Sequence, residues 1–502
     1  MKPGKIQRLA IDIENILNKV HSDLREFKPL LGEIEPNHKK SAANLINYLS
    51  LRSFDLRDIQ RKLGYLGMSR LARAEAHTEA SIKTTLYYLK MLLGEWHPVP
   101  NKYTISIKKS EKQLINNTQQ LLGKPRANRK QRIMVTMPGI AAADSQMVEN
   151  MITSGLDIAR INCAHDDPEI WSQIISNLKL ADQKIGKQTI ISMDIGGPKI
   201  RTGELEKSFK VREKDVLILH KNAVTGHKAI LDENKSLIRP AEVSCTLPEV
   251  FDYLKKGDPV YFDDGSTDGI IESLEDDQAL IRITRTKDNG SKIKPDKGIN
   301  FPKSNLNIHG LTGTDREHLK FISKHADVMN FSFVNSPEDV KELHAFLKEL
   351  GVFEKLGVIY KIETRQAFDQ MVPILLEALK APKVGVMIAR GDLAIEAGWN
   401  QIGYIQKEML ALCNAAHIPI VWATQVLENL AKKGLPSRSE ITDAANAVKA
   451  ECVMLNKGPH IIEAIKLLDE IIVNMEPYQE KNAPLLPPLH HLSSEESSLI
   501  SR

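Results

Sequence analysis

From residue 133 onward the chain repeats one unit, and that repetition limits the folds open to it. Eight short apolar runs occur at 133–136, 157–164, 189–194, 328–333, 358–363, 384–390, 419–424 and 452–457. Runs of this length with few charges read as buried strands. Helical spacing lies between most of them, at 147–154, 168–184, 337–350, 365–379, 402–416 and 439–450, and a last helix is expected at 460–475. Eight strands each followed by a helix is the count of a closed (β/α)8 TIM barrel; an open doubly wound sheet is the alternative. Between the third and fourth strands the spacing breaks. Residues 205–297 contain short alternating strands at 215–220, 260–264, 269–274 and 280–286, punctuated by Gly257-Asp258, Asp264-Gly265 and Asn289-Gly290. They read as a β-rich domain inserted into one βα loop, where it can act as a lid. The expected fold class is therefore α/β, with the barrel at 131–204 and 298–476 and the lid at 205–297.

Residues 1–130 read as an N-terminal α-helical domain followed by a basic linker. Ile6, Leu9, Ile13, Ile16 and Leu17 share one helical face, and similar spacing recurs over 45–51, 56–66 and 84–93. Its Met and aromatic residues are expected in the core, and the 123–132 stretch, GKPRANRKQR, as a linker with solvated charge. Residues 477–502 are rich in Pro and Ser and are expected to be an extended or disordered tail, with His490 and His491 solvated. A formal charge of +4 is too small to imply nucleic acid. No apolar run approaches a membrane span, and the start lacks a secretory h-region. Four scattered cysteines without a CxxC pair argue against a disulfide framework or zinc site and point to the cytoplasm.

The chemistry collects at the strand ends. The sixth strand runs into Arg390-Gly391-Asp392, with Asp392 expected as the cap of the following helix and Gly391 giving a ligand close access to the backbone. Other ends carry Arg160, Asn162 and His165; Asp194, Lys199 and Arg201; and Lys361 and Glu363. Lys361 and Glu363, two residues apart, face the same side of a strand. Ionic groups in a barrel mouth are costly unless they serve a ligand or metal. Glu363 and Asp392 offer hard oxygens for Mg²⁺ (or Mn²⁺), and Arg160, Arg201 and Lys361 can neutralise phosphoryl oxygens. That set suits phosphoryl transfer, and no GxxxxGK[ST] loop is present.

The segments ARINCAH, MDIGGPKIRTG, FDDGSTDG, KGINFP, YKIET, VMIARGDLAIE, WATQVLE and PSRSEITDAANAV resemble the pyruvate kinase family, in that family's order. The resemblance implies phosphoenolpyruvate and ADP/ATP as substrates, a cytoplasmic enzyme, and no nucleic-acid or membrane partner, and it leaves a homo-oligomer open. It places Glu363 and Asp392 as Mg²⁺ ligands and Lys361 as the stabiliser of the transferring phosphoryl group. Arg160 matches the phosphate-binding arginine, and Thr424 lies beside the carbon that is protonated. Ala389, Gly391 and Asp392 match the amides holding the substrate carboxylate. Asn162, His165, Arg201 and Lys297 match nucleotide contacts, and Asp264 faces the site from the lid. Residues 1–130 have no counterpart in the family pattern, and the family's usual C-terminal domain has no room.

Several positions depart from the pattern: the first strand ends Thr136-Met137-Pro138-Gly139, the eighth ends Asn456-Lys457-Gly458-Pro459, and Asn335 replaces an arginine. The family's K⁺ cage keeps Asn162 and Asp194, but its serine is Ala164 and its threonine Ile195. Lys199 stands where K⁺-dependent members have glutamate, which implies that no K⁺ is required. The alternatives are a catalytically weak phosphoenolpyruvate- or nucleotide-sensing protein on the same fold, or another Mg²⁺-dependent barrel acting on pyruvate or phosphoenolpyruvate.

Overall fold

The computed structural model describes residues 1–485 apart from Lys235, Asn305, Asn307, His309 and Asn482; His490 and His491 lie outside the described residues. Eight parallel strands close into a barrel: β1 (Arg132–Thr136), β2 (Ile158–Asn162), β3 (Ile190–Asp194), β4 (Val328–Phe331), β5 (Gly357–Ile362), β6 (Val384–Ala389), β7 (Ile420–Ala423) and β8 (Cys452–Leu455). Closure is made by β1, which pairs with β2 at Val135↔Ala159 and with β8 at Ile133↔Val453. The open-sheet alternative is thereby excluded. All residues of β1, β4, β5, β6, β7 and β8 are buried, which is why these strands read as largely apolar runs, with Asn330 and Lys361 among the exceptions.

The surrounding helices follow their caps. Ser336 and Ser437 each make a capping box, with Asp339 and Glu440 respectively. The expected single helix over 365–379 is instead two, Arg365–Asp369 and Met371–Ala378. Pro373 supplies the reason: it lacks an N–H, and its ring excludes the carbonyl of residue 369 from a continuous helix.

Between β3 and β4 a six-stranded sheet forms, in the order Ile299–Asn300, Pro259–Phe262, Thr267–Leu274, Gln278–Arg285, Val216–His220 and Ala241–Ser244. It has its own core, including Val243, Val260, Phe262, Ile271 and Ile281. Ala241–Ser244 was not anticipated, because only four residues long and buried throughout it has no alternation to read.

The first 122 residues form helices, chiefly Pro3–Glu26, Lys39–Arg52, Thr78–Leu92 and Ile107–Leu122. Leu9, Ile13, Ile16, Leu63, Ile82 and Leu89 make a separate core. The expectation that the aromatics here are buried fails at Tyr65 (81% exposed) and Trp96 (85% exposed). Tyr65 ends a nine-residue helix that buries only Leu63, and Trp96 follows the end of the next long helix. The helix Ile107–Leu122 closes the base of the barrel: Leu121 and Leu122 pack with Met134, Ile158, Val328, Ile359 and Met387. At this base Asn117 Nδ2 donates to His417 O (2.7 Å), and His417 meets Ser41 Oγ (3.0 Å) and Ala76 O (2.8 Å).

The basic stretch before β1 is not a solvated linker. Arg129 has a fully buried side chain that pairs with Asp157 (2.6 Å) and Asp469 (2.6 Å). Its charge is buried because two carboxylates and the Gly155 carbonyl use the guanidinium's donors. Past the last long helix, Gln479–Glu480 pairs antiparallel with Ala483–Pro484. Among the described residues, no helix is long and apolar enough to cross a membrane.

Candidate active site

The C-terminal ends of β2 to β5 converge on one buried ionic cluster. Arg160, on β2, grips Asp194 at the end of β3 through two bonds, Nε to Oδ1 (2.9 Å) and Nη2 to Oδ2 (2.7 Å), and a third bond runs to Thr136 Oγ1 (2.8 Å). Lys361, on β5, lies 3.2 Å from Asp194 Oδ2 and 3.0 Å from Glu363 Oε1. Its ammonium also donates to Ser332 Oγ (2.8 Å), which in turn donates to Ile195 O (2.8 Å). Burial works against the charge on Lys361, but Glu363 and Asp194 outweigh it and hold the ammonium above its ordinary pKa. Asp194 is held below the ordinary carboxylate range: burial opposes its charge, and Arg160 and Lys361 overcome that penalty. Glu363 moves upward, first from burial and then from the Asp392 carboxylate beyond it, despite Lys361.

A second cluster lies at the end of β6. The helix Arg390–Ala397 begins directly after β6 with Ala389 at its cap position, so Asp392 is not the cap that the sequence suggested. It falls in the first turn, where its carboxylate meets Lys199 Nζ at 2.9 Å. The Lys199 ammonium is 5.7 Å from the centre of the Phe333 ring, and Asp392, Glu363 and Asp264 together hold its pKa up against burial. Asp264 comes from the inserted sheet. Its carboxyl is raised by burial in spite of Lys199, with Asp392 and Asp263 adding to the rise. Asp263 and Asp264 both adopt positive φ (49° and 54°), the tight turn that presents this tip to the barrel. The adjoining Gly265 lies so close that a Cβ there would sit 3.2 Å from Ile395 Cδ1. Asn300, on the returning strand, donates to Glu396 Oε1 (2.7 Å), and burial pushes the Glu396 carboxyl up to about 7.

Thr424, just past β7, has φ +64°, and its Oγ1 accepts from the Gly391 amide at 2.8 Å. Arg390 reaches back to the Ala423 carbonyl (3.0 Å) and pairs with Asp443 (2.5 Å). On the rim, Lys297 pairs with Asp263 (3.3 Å) and Arg201 with Asp296 (3.4 Å). Asn162 accepts from the Ala164 amide (3.1 Å). His165 is held below its ordinary pKa by burial and by the nearby charges of Lys457 and Arg201.

The structure thus brings Arg160, Lys361 and Glu363 into direct contact or one residue removed, and joins Lys199, Asp392 and Asp264 around one ammonium. Sequence reasoning missed Ser332, Asn330 and Glu396. Asn330 Nδ2 donates to Ser192 Oγ (2.9 Å) and to Asp194, and Glu363 Oε2 accepts from the Phe333 amide (2.7 Å). The available signal was the position of Asn330 and Ser332 at the end of the fourth strand, polar in an otherwise apolar run. Among the described residues, no group of three or more His, Cys, Asp or Glu side chains forms a metal cluster. Glu363 and Asp392 are two hard oxygen donors whose mutual repulsion already raises Glu363. Such a pair fits a divalent ion that keeps other positions for water and substrate.

Known proteins share this arrangement of segments. The family described as "Pyruvate kinase, barrel domain" matches residues 128–460. A pyruvate kinase of Thermotoga maritima is 33% identical over 339 residues, covering 66% of this chain and 68% of that protein. The Thermococcus litoralis pyruvate kinase is 30% identical over 359 residues, covering 70% of each chain. For the Geobacillus stearothermophilus pyruvate kinase the figures are 29% over 356 residues, with 57% of that protein covered. With every barrel strand and the ionic strand ends inside the matched span, the chain belongs to the pyruvate kinase family.

Proposed function

We propose that this chain transfers the phosphoryl group of phosphoenolpyruvate to ADP, giving pyruvate and ATP. The observation that carries this reading is the buried Lys361 ammonium, held between Asp194 and Glu363 at the barrel mouth with a further carboxylate, Asp392, beyond. In the reaction the bond from phosphorus to the enol oxygen breaks and a bond to a β-phosphate oxygen of ADP forms. The pyruvate enolate left behind takes a proton at its methylene carbon. Lys361 and Arg160 face the charge that moves during this exchange and are fixed beforehand by Asp194, so no reorganisation is needed. The amide of Gly391, now bonded to Thr424 Oγ1, is released to the substrate carboxylate when that hydroxyl turns toward the reacting carbon. Asn162, His165, Arg201 and Lys297 take the nucleotide phosphates, and the sheet carrying Asp264 closes over them as a lid. Glu363 and Asp392 would hold Mg²⁺ or Mn²⁺, which would supply Lewis-acid neutralisation of phosphoryl oxygens.

Lys199 takes the part of the monovalent cation, and no K⁺ is required. Asp194 supports this reading, since Arg160, Lys361 and Asn330 already use its oxygens. The four cysteines are buried free thiols, which supports a reducing cytoplasm. Two observations favour the second reading, a weakly catalytic sensor. Lys199 already neutralises Asp392, and Lys457 adds charge near His165 where the eighth strand departs from the family pattern. A coupled assay separates the two. ADP-dependent pyruvate formation by the purified chain supports the kinase; phosphoenolpyruvate binding without turnover supports the sensor.

A further inference from the structure

A cavity of about 900 Å³ lies at the opposite end of the barrel from Lys361. One wall is the helices Thr78–Leu92 and Ile107–Leu122; another is the barrel base at Arg132 and Lys449; a third is Gln479, Glu480, Lys481 and Ala483. Most of this lining falls outside residues 128–460, the span shared with the family, so the cavity is made by what this chain adds to the barrel. Its size is that of a small-molecule site.

The lining has two characters. Tyr88, Leu114 and Ile115 give it an apolar side, with Tyr88 and Ile115 more than half exposed. Three of its five Lys and Arg side chains give it another. Arg132 is only 5% exposed, yet its guanidinium bonds carbonyls alone: Nε and Nη2 to Gly123 O (3.1 and 2.6 Å) and Nη1 to Lys130 O (2.8 Å). A guanidinium has five N–H donors, so two remain. Among the described residues, no carboxylate lies at ion-pair distance from Arg132, Arg73 or Lys449; Lys449 meets only Asn446 Oδ1 (2.6 Å) and Arg73 only Pro484 O (3.4 Å). The cavity's carboxylates are mostly engaged elsewhere. Glu451 holds Lys481 (2.5 Å) and the Ile420 amide, Glu480 meets Lys130 (3.3 Å), Glu476 accepts from the Lys130 amide, and Glu75 is buried within reach of Tyr48. Glu111 stands exposed at the rim. Asp157 and Glu451 act on Arg132 only from beyond ion-pair distance. A buried cation with spare donors and no carboxylate in contact favours an anion.

We propose that this cavity binds a small organic anion with an apolar body, its acidic group among Arg132, Lys449 and Arg73 and its body against Tyr88, Leu114 and Ile115. Carboxylate, sulfonate and phosphate monoester share the chemistry required. The probe is 8-anilinonaphthalene-1-sulfonate, titrated into the full chain by fluorescence. The expected result is saturation at one site per chain, competed by benzenesulfonate, benzoate or phenyl phosphate and not by benzyl alcohol; the order among the three anions identifies the acidic group. Lys449→Glu and Arg73→Glu should each weaken the site by roughly tenfold, the scale of losing one charged hydrogen bond. Thr84→Trp, which fills the cavity, should remove saturable binding, and Trp96→Ser should leave it unchanged. Thermal unfolding checks that each variant is folded; if Thr84→Trp is not, the two charge variants and the competition decide. Titrations of Lys449→Glu and Arg73→Glu that superimpose on the parent, or equal competition by benzyl alcohol, would overturn the proposal.

Discussion

Lys361 is the residue whose surroundings leave least room for a purely structural role. Three acceptors on two other strands and its own hold it, and the net effect is an ammonium that stays charged although buried. Lys361→Met should keep the melting temperature within a few degrees of the parent and lower turnover by roughly a thousandfold or more; near-normal pyruvate formation would end its assignment. Lys199 can be tested without turnover. Removing its ammonium leaves Asp392, Glu363 and Asp264 facing one another, so Lys199→Met should tighten Mn²⁺ binding in the absence of substrate, read by electron paramagnetic resonance. In the parent chain, adding KCl to tetramethylammonium buffer at matched ionic strength should leave the proposed transfer's initial rate unchanged. Charged residues were legible at the strand ends because their types contradict a buried run. Their pairing was not: Asp194 serves Arg160 and Lys361 at once, and no spacing in the sequence announces a contact between residues 160, 194 and 361.

At the level of elements, the barrel strands were legible since burial on both faces makes them largely apolar runs. The inserted sheet was legible only where strands alternate, and a proline inside an apolar stretch hid the break before Met371–Ala378. The helix Ile107–Leu122 was obscured by its composition. Its buried residues include Ser110, Asn117 and Thr118 as well as Leu121 and Leu122, because it faces polar groups at the barrel base before reaching the apolar interior. Leu121 is 2% exposed and lies against two strands at once. Leu121→Ala should cost about 2–5 kcal/mol, the range for emptying a buried leucine site. Urea unfolding is the measurement; a change within error would mean the helix end is not a fixed part of the core.

Across the whole molecule, the joint between helices and barrel has a predictable pH response. Burial depresses His417 from 6.5 to about 4, while its ring is bonded to Ser41 and Ala76 of the N-terminal helices. A depressed folded-state value means that the unfolded chain binds the proton first. The stabilisation is complete above about pH 6.5 and is lost as pH falls toward 4, with about 2 kcal/mol gone by pH 5. His417→Asn, which tolerates the local φ of +50°, should be less stable at pH 7.5 and should flatten this part of the pH profile. Parallel melting curves for parent and variant between pH 7.5 and 5 would contradict it. The inserted sheet should behave differently. Because it has a separate core, which takes in Ile200, Ile299 and Phe301 at its two joints, a chain with residues 200–301 replaced by a short linker should fold and lose transfer. The N-terminal helices offer no such clean cut. A Cβ on Gly357 would come 2.5 Å from Leu121 Cδ1, and one on Gly385 would come 2.5 Å from Leu121 Cδ2. Two strands have given up their side chains at these points to admit one leucine from another part of the chain. A chimera that joins these helices to another barrel must therefore bring glycine at both places, so the two parts can be exchanged only as a matched pair.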